Sequence, residues 1–303
     1  MLRGDSMEWL EFFESVRTPF FDKFFLLVTQ MGEELFFTVI ILAVIWCINK
    51  KTGYQMFFIF TLGSLINQVL KLIFKIPRPW AKGIEPVEGS VDAATGYSFP
   101  SGHTQQAVGL FGSIAYFVKK TWAYIVMTLL TLLVAFSRMY LGVHTPEDVF
   151  ASLGIGIVIL VLCSFLFRIV GKYKYGDAYI YAGASLLTAI AIIVLSLNKT
   201  GSEEFQSGVE NGWKLLGCTI GIAISIFIDV KYTHFEILAK WWQQILKCVV
   251  GLGMVLAIKV LLKQPLLDLF NGSHVADGIR YFLLIIFAGC LYPMLFRFLK
   301  KKA

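Results

Sequence analysis

Three short stretches of this chain carry polar side chains that an apolar sequence can least accommodate. KLIFKIPRP holds Lys71, Arg78 and Pro79, with six residues between the two cations. PSGH runs from Pro100 to His103, and SRMYLGVHTPED supplies Ser137, Arg138, His144 and Asp148. Lys71, Arg78 and Arg138 are three cations, two of them guanidinium forks that match phosphate oxygens in pairs. Ser101 and Gly102 stand before a helical segment whose first N–H groups have no intrahelical partner, so they add donors for an anion. Gly102 also lets the backbone approach an oxyanion closely. His144 and Asp148 are four residues apart and meet if that stretch is helical. The carboxylate would then fix one imidazole nitrogen and leave the other as a nucleophile. His103, on a separate stretch, is available as the general acid for a departing alkoxide. The set is complete for phosphoryl transfer through a phosphohistidine. It calls for no cofactor and no metal, and no clustered carboxylates that would hold a metal are visible.

Taken singly, each feature has a plainer reading. An arginine near a span end snorkels to the interface, a histidine at a helix entrance is a polar end cap, and His-x-x-x-Asp pairs are common on helix surfaces. What those readings leave unexplained is the joint occurrence, in order, on one membrane face.

That face follows from the elements between the motifs. The 303 residues are 57% hydrophobic and only 16% charged, against about 25% charged in a soluble domain. The apolar residues fall in blocks of roughly 17–22, the length that crosses a bilayer core. Spans are expected at about 34–49, 54–74, 104–118, 121–141, 148–168, 178–198, 212–229, 241–262 and 279–299. FFDKFFLLVTQMG (20–32) is an ambiguous short or re-entrant helix. MEWLEFFESV (7–16) interleaves Trp9, Leu10, Phe12, Phe13 and Val16 with glutamates, as an interfacial helix does. Its acids argue against a cleaved leader. The motif loops follow the second span, precede the third and join the fourth to the fifth, so all three share one face. Lys50/Lys51, Lys119/Lys120, the Arg168–Lys174 turn and the Arg297–Lys302 tail fall opposite. Those basic groups place that side in the cytoplasm and the motifs outside. They also explain the +7 charge, so no nucleic-acid partner is expected. The five cysteines lie inside apolar blocks and read as small core residues. The sequons at Asn198 and Asn271 read as coincidence.

With the residues in view, the chain resembles the type-2 phosphatidic acid phosphatase superfamily, relatives of vanadium haloperoxidases and glucose-6-phosphatase. Its signature of K-x6-RP, PSGH and SR-x5-H-x3-D is met at Lys71…Arg78-Pro79, Pro100–His103 and Ser137-Arg138…His144…Asp148. The resemblance implies His144 as nucleophile, Asp148 as its orienting carboxylate and His103 as leaving-group acid. It implies phosphate ligands at Lys71, Arg78, Ser101, Gly102, His103 and Arg138, and metal-independent hydrolysis of lipid phosphates or prenyl diphosphates. Similar Gly-Glu-Glu segments occur in some members, so Glu33 and Glu34 in MGEELFF are candidates for headgroup selection. The competing reading is that they favour a helix dipole.

The chain therefore reads as an all-α, polytopic α-helical membrane protein. A phosphatidic-acid-phosphatase-type core with its N-terminal interfacial helix is expected over 1–175. A C-terminal transmembrane extension of open role follows over 176–303. The expected activity is that of a lipid phosphate phosphatase acting at the outer face of the cytoplasmic membrane. Its expected partners are a lipid phosphate substrate and the bilayer, and a homodimer is a candidate assembly. The alternatives are an undecaprenyl-diphosphate phosphatase, a lipid phosphotransferase, or a transporter or binding protein with a relict site. Lys247 and Lys259 within apolar spans motivate the last of these.

Overall fold

Helix starts and stops follow the local chemistry of the chain, in a computed structural model that describes residues 2–196 and 202–296. The Asn198 sequon and the Arg297–Lys302 tail lie outside the described residues. Helix α1 is Leu2–Ser15. Helix α2, Pro19–Thr29, opens with proline after Thr18, whose side chain accepts from Phe21 N, the usual logic of a helix entrance. Helix α3, Glu34–Ala43, runs into a wide turn over Val44–Ile48. Helix α4, Lys50–Phe74, starts at Asn49, whose Oδ1 accepts from Thr52 N at 3.0 Å. Helix α5, Gly102–Val118, ends at Lys119 in left-handed backbone, and α6, Thr121–Tyr140, follows. Then come α7 (Pro146–Val170), α8 (Gly176–Ser196), α9 (Glu203–Ile228), α10 (Trp241–Leu261), α11 (Lys263–Leu269) and α12 (Val275–Ile286).

Among the described residues, seven stretches are long and apolar enough to cross a membrane, and an eighth forms if α2 and α3 make one bent span. Nine separate spans were expected, and two differences account for the change. Residues 20–32 and 34–49 are the two arms of a pair bent by 50° at Gly32–Glu33. Helix α5 has 17 residues, at the lower limit for a span, and much of it is packed inside protein.

The chain divides into two compact units, each discontinuous in sequence. The first comprises Met1–Phe37, Leu62–Cys163 and Gly201–Gly208. Here α5 and α6 form a helical hairpin through Lys119 and Lys120, and α1 and α2 pack on α6. The Phe25 ring lies 4.5 Å from that of Tyr140, and the Tyr140 hydroxyl donates to Asp22 Oδ1 at 2.9 Å. On α1, Leu10 and Phe13 cluster with Ile84, Met7 and Met139, while Trp9 and Phe12 stay exposed. The expected amphipathic pattern is thus resolved into a protein-facing and an outward-facing side. Asn67 of α4 ties the helices to the PSGH turn. Its Nδ2 donates to Pro100 O at 3.3 Å and Gln105 Oε1 at 2.9 Å, and Gln105 Nε2 donates to Gly63 O at 2.8 Å.

The second unit comprises Thr38–Thr61, Ser164–Thr200 and Val209–Ala303. Gly221 of α9 lies so close to α12 that a Cβ there would stand 3.0 Å from Ile285, a close approach of the small-residue kind common between membrane helices. Trp46 Nε1 donates to Ala288 O at 2.9 Å, and Lys50 Nζ meets Asp229 Oδ2 at 2.7 Å. Lys247 is buried, donates to Ile237 O at 2.9 Å and lies over the Phe296 ring. It is satisfied inside the fold, which removes one of the two motives for a transport pathway. The fold also brings together two cysteines distant in sequence, with Cys47 Sγ 3.5 Å from Cys248 Sγ.

Replacing Asn67 by leucine removes both of its donated bonds and leaves buried Pro100 O and Gln105 Oε1 without them, at a cost of about 2–4 kcal/mol. In detergent, Asn67→Leu is expected to lower the unfolding midpoint more than Glu210→Ala, which breaks a partly exposed Glu210–Lys214 pair worth about 1 kcal/mol or less.

Candidate active site

Every candidate residue named from the sequence lies in the first unit. Lys71 ends α4, and Arg78 follows on the segment leaving it. Ser101 caps α5, and Gly102 and His103 begin it. Arg138 sits in the last turn of α6, and Asp148 in the first turn of α7. His144 differs from expectation, because it lies in the turn before α7 and is not helical. The four-residue spacing still joins it to Asp148. Gly142, at φ +73°, lets the turn fold back in a conformation that favours glycine.

Arg78 is the centre of the arrangement. Its Nε donates to Gly96 O at 3.0 Å and its Nη2 to Thr95 O at 2.7 Å. Its Nη1 reaches Val143 O at 3.1 Å and His144 Nε2 at 2.9 Å. Lys71 Nζ shares Thr95 O at 3.3 Å. Buried cations need acceptors, and here backbone carbonyls of the 95–96 loop supply them.

This geometry fixes the His144 tautomer. A guanidinium only donates, so the nitrogen facing Arg78 must carry a lone pair. The proton therefore belongs on Nδ1, which faces Asp148 Oδ2 at 3.3 Å. Asp148 Oδ2 also accepts from Ser98 Oγ at 2.5 Å and Thr145 N at 3.0 Å. Ser98 and Asp148 are both buried, and the serine makes the shortest of these contacts.

Arg138 is wholly buried and donates through Nη1 to Thr29 Oγ1 at 2.6 Å. Its Nε and Nη2, like His103 Nε2, are buried without a hydrogen-bond partner. Buried polar atoms are nearly always paired, so the two Arg138 donors held this way mark a place built for an anion. His103 lies within electrostatic reach of Arg138, His144, Lys71 and Arg78. The two histidines and three cations are therefore one group. The Ser101 hydroxyl is turned to the helix, 3.0 Å from Thr104 Oγ1, and its N–H donates to Asp148 O. The N–H groups of Gly102 and His103 stand in the first turn of α5, where no intrahelical acceptor exists.

Glu33 and Glu34 separate. Glu34 is the first residue of α3 and exposed, while Glu33 is half-buried in extended backbone at the bend. Glu33 lies within electrostatic reach of Arg138. Thr29, Gly32, Asn67 and Ser98 were not singled out from the sequence. Each acts through a partner remote in sequence. Only the position of Ser98, next to the PSGH stretch, was a local hint.

Residues 52–172 match the PAP2 superfamily, and residues 213–303 match the family described as PAP2 superfamily phosphatase, transmembrane extension. The chain thus carries a PAP2 superfamily domain followed by a PAP2 transmembrane extension. It is 28% identical to phosphatidylglycerophosphatase B of Bacillus subtilis, over 48% of this chain and 75% of that protein. It is 24% identical to a probable sphingosine-1-phosphate phosphatase of Dictyostelium discoideum, over 72% of this chain and 56% of the relative. The chain thus spans little more than half of the Dictyostelium protein. Among solved structures, a transmembrane PAP2-type phosphatidylglycerolphosphate phosphatase from Bacillus subtilis is similar, with a TM-score of 0.49 and 24% identity. That likeness covers 56% of this chain and 87% of the other.

The charges around His144 have a consequence for stability. Burial, and then Arg78, Arg138 and Lys71, hold its imidazole well below the usual value of 6.5. The folded protein keeps it neutral while the unfolded chain protonates near 6.5. Its contribution is therefore full above that pH and is lost as pH falls toward the folded value. Between about pH 7 and pH 5, the unfolding midpoint of His144→Gln is expected to fall less steeply than that of the wild type.

Proposed function

We propose that this PAP2 chain is a membrane lipid phosphate phosphatase working through a phosphohistidine at the outer face of the cytoplasmic membrane. The observation that carries the reading is a pair of unpartnered buried donors on Arg138, grouped with the unpartnered His103 Nε2 and a His144 nitrogen that carries a lone pair. The relatives are named for phosphatase activity on lipid phosphates, which supports the same class. Residues 1–175 would supply the chemistry, with 176–303 as a membrane extension.

The phosphate enters among Lys71, Arg78, Arg138 and the first N–H groups of α5. Arg78 moves its Nη1 donor from His144 to a phosphate oxygen, which frees the Nε2 lone pair. Nε2 attacks phosphorus in line with the ester oxygen. The P–N bond forms as the P–O bond breaks, and His103 gives its proton to the departing alkoxide. The Nδ1–H faces Asp148 throughout, so the positive charge that grows on the ring has a carboxylate beside it. Water then attacks the phosphohistidine, His103 takes its proton, and inorganic phosphate leaves. The three cations stabilise charge spread over the equatorial oxygens.

Purified protein in detergent is expected to release phosphate from at least one of phosphatidic acid, phosphatidylglycerophosphate, a sphingoid-base phosphate or a C55 diphosphate. Activity should survive EDTA and be inhibited by vanadate. His144→Ala, folded normally, should lose about 1000-fold or more in kcat. Negligible release from every substrate would overturn the reading.

Ser98 enters as a positioning residue, because it touches Asp148 and not the reacting atoms. Ser98→Ala is expected to lower kcat by about tenfold with little change in KM. The loss should nearly vanish when Asp148 is already asparagine, since residues acting through one another are not additive. Ser98→Thr, which keeps the hydroxyl, should recover part of the rate.

A further inference from the structure

The N-terminal arm of the chain meets the site region twice. Just past the end of α2, a Cβ on Gly32 would lie 2.9 Å from both Cβ and Cδ2 of His103, and Thr29 Oγ1 accepts from Arg138 Nη1. Those contacts border the anion cup. The second meeting is at the corner between α1 and α2, where half-buried Arg17 reaches a different part of the site. Its Nε and Nη2 both donate to Tyr140 O at 3.3 Å, and its Nη1 donates to Glu85 O. Tyr140 is the last residue of α6, and residues 141–144 form the turn that carries His144.

A cation at a helix C-terminus ordinarily caps the last carbonyls. The contacts here go further than a cap. The guanidinium fastens Tyr140 to Glu85, and Val87 N, two residues on, donates to Leu141 O at 3.1 Å. Gly142 is seated so tightly that a Cβ there would stand 2.7 Å from Arg17 Nη2, 3.2 Å from Ile84 Cγ2 and 3.3 Å from Glu85 O. The Tyr140 hydroxyl is held by the same corner, accepting from Thr18 N at 3.3 Å and donating to Asp22 Oδ1. The nucleophile turn therefore rests on Arg17 and the 84–87 segment.

The carbonyls of this turn are taken one after another. Arg17 holds Tyr140 O, Val87 N holds Leu141 O, and Arg78 Nη1 holds Val143 O. In the mechanism above, Arg78 gives up its contact with His144 as phosphate arrives. The approach of Nε2 to phosphorus is then set by the backbone of the turn and by Asp148 at Nδ1. In-line attack tolerates little error, since a misplacement of about 1 Å can cost about 100-fold in rate. The cations are anchored elsewhere, Arg138 by Thr29 and the other two by the 95–96 carbonyls. Loss of Arg17 thus falls on the nucleophile and spares phosphate binding.

We propose that Arg17 is a positioning residue for the nucleophile, acting through Tyr140 O and the turn that follows to hold His144 in line with phosphorus. The proposal rests on the phosphatase reading above and adds a residue to that site.

The test uses the full chain in detergent, with whichever of the four lipid phosphates above the wild type cleaves fastest. Inorganic phosphate, as a competitive inhibitor, reads the cup. Arg17→Ala is expected to lower kcat by about 10- to 100-fold, with KM and phosphate inhibition close to wild type. Arg17→Lys keeps the charge at the helix end without the fork, and its kcat should fall between the two. Guanidinium ion, below denaturing concentrations, should restore part of the kcat of Arg17→Ala and saturate. Where the alanine variant does not fold, the kcat of Arg17→Lys decides: a loss with phosphate inhibition intact supports the proposal, and a wild-type value overturns it. A folded Arg17→Ala with a lower unfolding midpoint but wild-type kcat would leave Arg17 a helix cap and overturn it too. So would parallel losses in kcat and phosphate inhibition, which would assign Arg17 to the cup. A wild type that releases no phosphate from any of the four would instead sink the phosphatase reading, and this inference with it.

Discussion

A guanidinium cannot shed its charge to escape an apolar surrounding, and the arrangement around Arg78 follows from that constraint. Its donors are taken by Thr95, Gly96 and Val143 carbonyls and by the His144 ring. An apolar chain has few carboxylates to spare near three cations, and backbone oxygen is the acceptor in unlimited supply. The cost falls on the 95–98 loop, which must turn its carbonyls toward the cations and send Ser98 Oγ to Asp148. Gly96 takes left-handed backbone at φ +65°, a conformation other residues rarely adopt. One loop thereby sets Lys71, Arg78, the carboxylate and, through these, the imidazole.

The residues that the structure gathers were legible in the sequence because they are ionisable and stand out against apolar blocks. Lys71, Arg78, His103, Arg138, His144 and Asp148 were each visible by type and spacing. Their supports were not. Thr29, Gly32, Asn67 and Ser98 are small or neutral residues, ordinary in any membrane helix, and their meaning comes from partners remote along the chain. The His144–Asp148 contact was anticipated on a helix and is made across a turn instead, since Pro146 starts α7 only after the histidine.

The helices were legible by composition and less so by boundary. Hydropathy finds an apolar block, but it does not reveal that the 20–32 and 34–49 blocks meet at a bend, nor that α5 is a short, largely protein-packed helix. Unit boundaries were hidden as well. The first residues of α9, as far as Gly208, group with the residues of the site. There a Cβ on Gly208 would lie 2.9 Å from Leu72, the neighbour of Lys71. Such a grouping leaves no mark in composition.

The contact between Arg78 Nη1 and His144 Nε2 also bears on what the protein does between turnovers. A neutral imidazole in a cleft is exposed to alkylation, acylation and stray metal ions, all of which seek its free electron pair. Here that pair is sheathed by a donor that a neutral intruder has no means to draw away. Only a visitor bringing its own negative oxygens can outbid the ring for the guanidinium. Under the mechanism proposed above, the key and the cargo would be one group, and the ring would be unsheathed only in the presence of the phosphate.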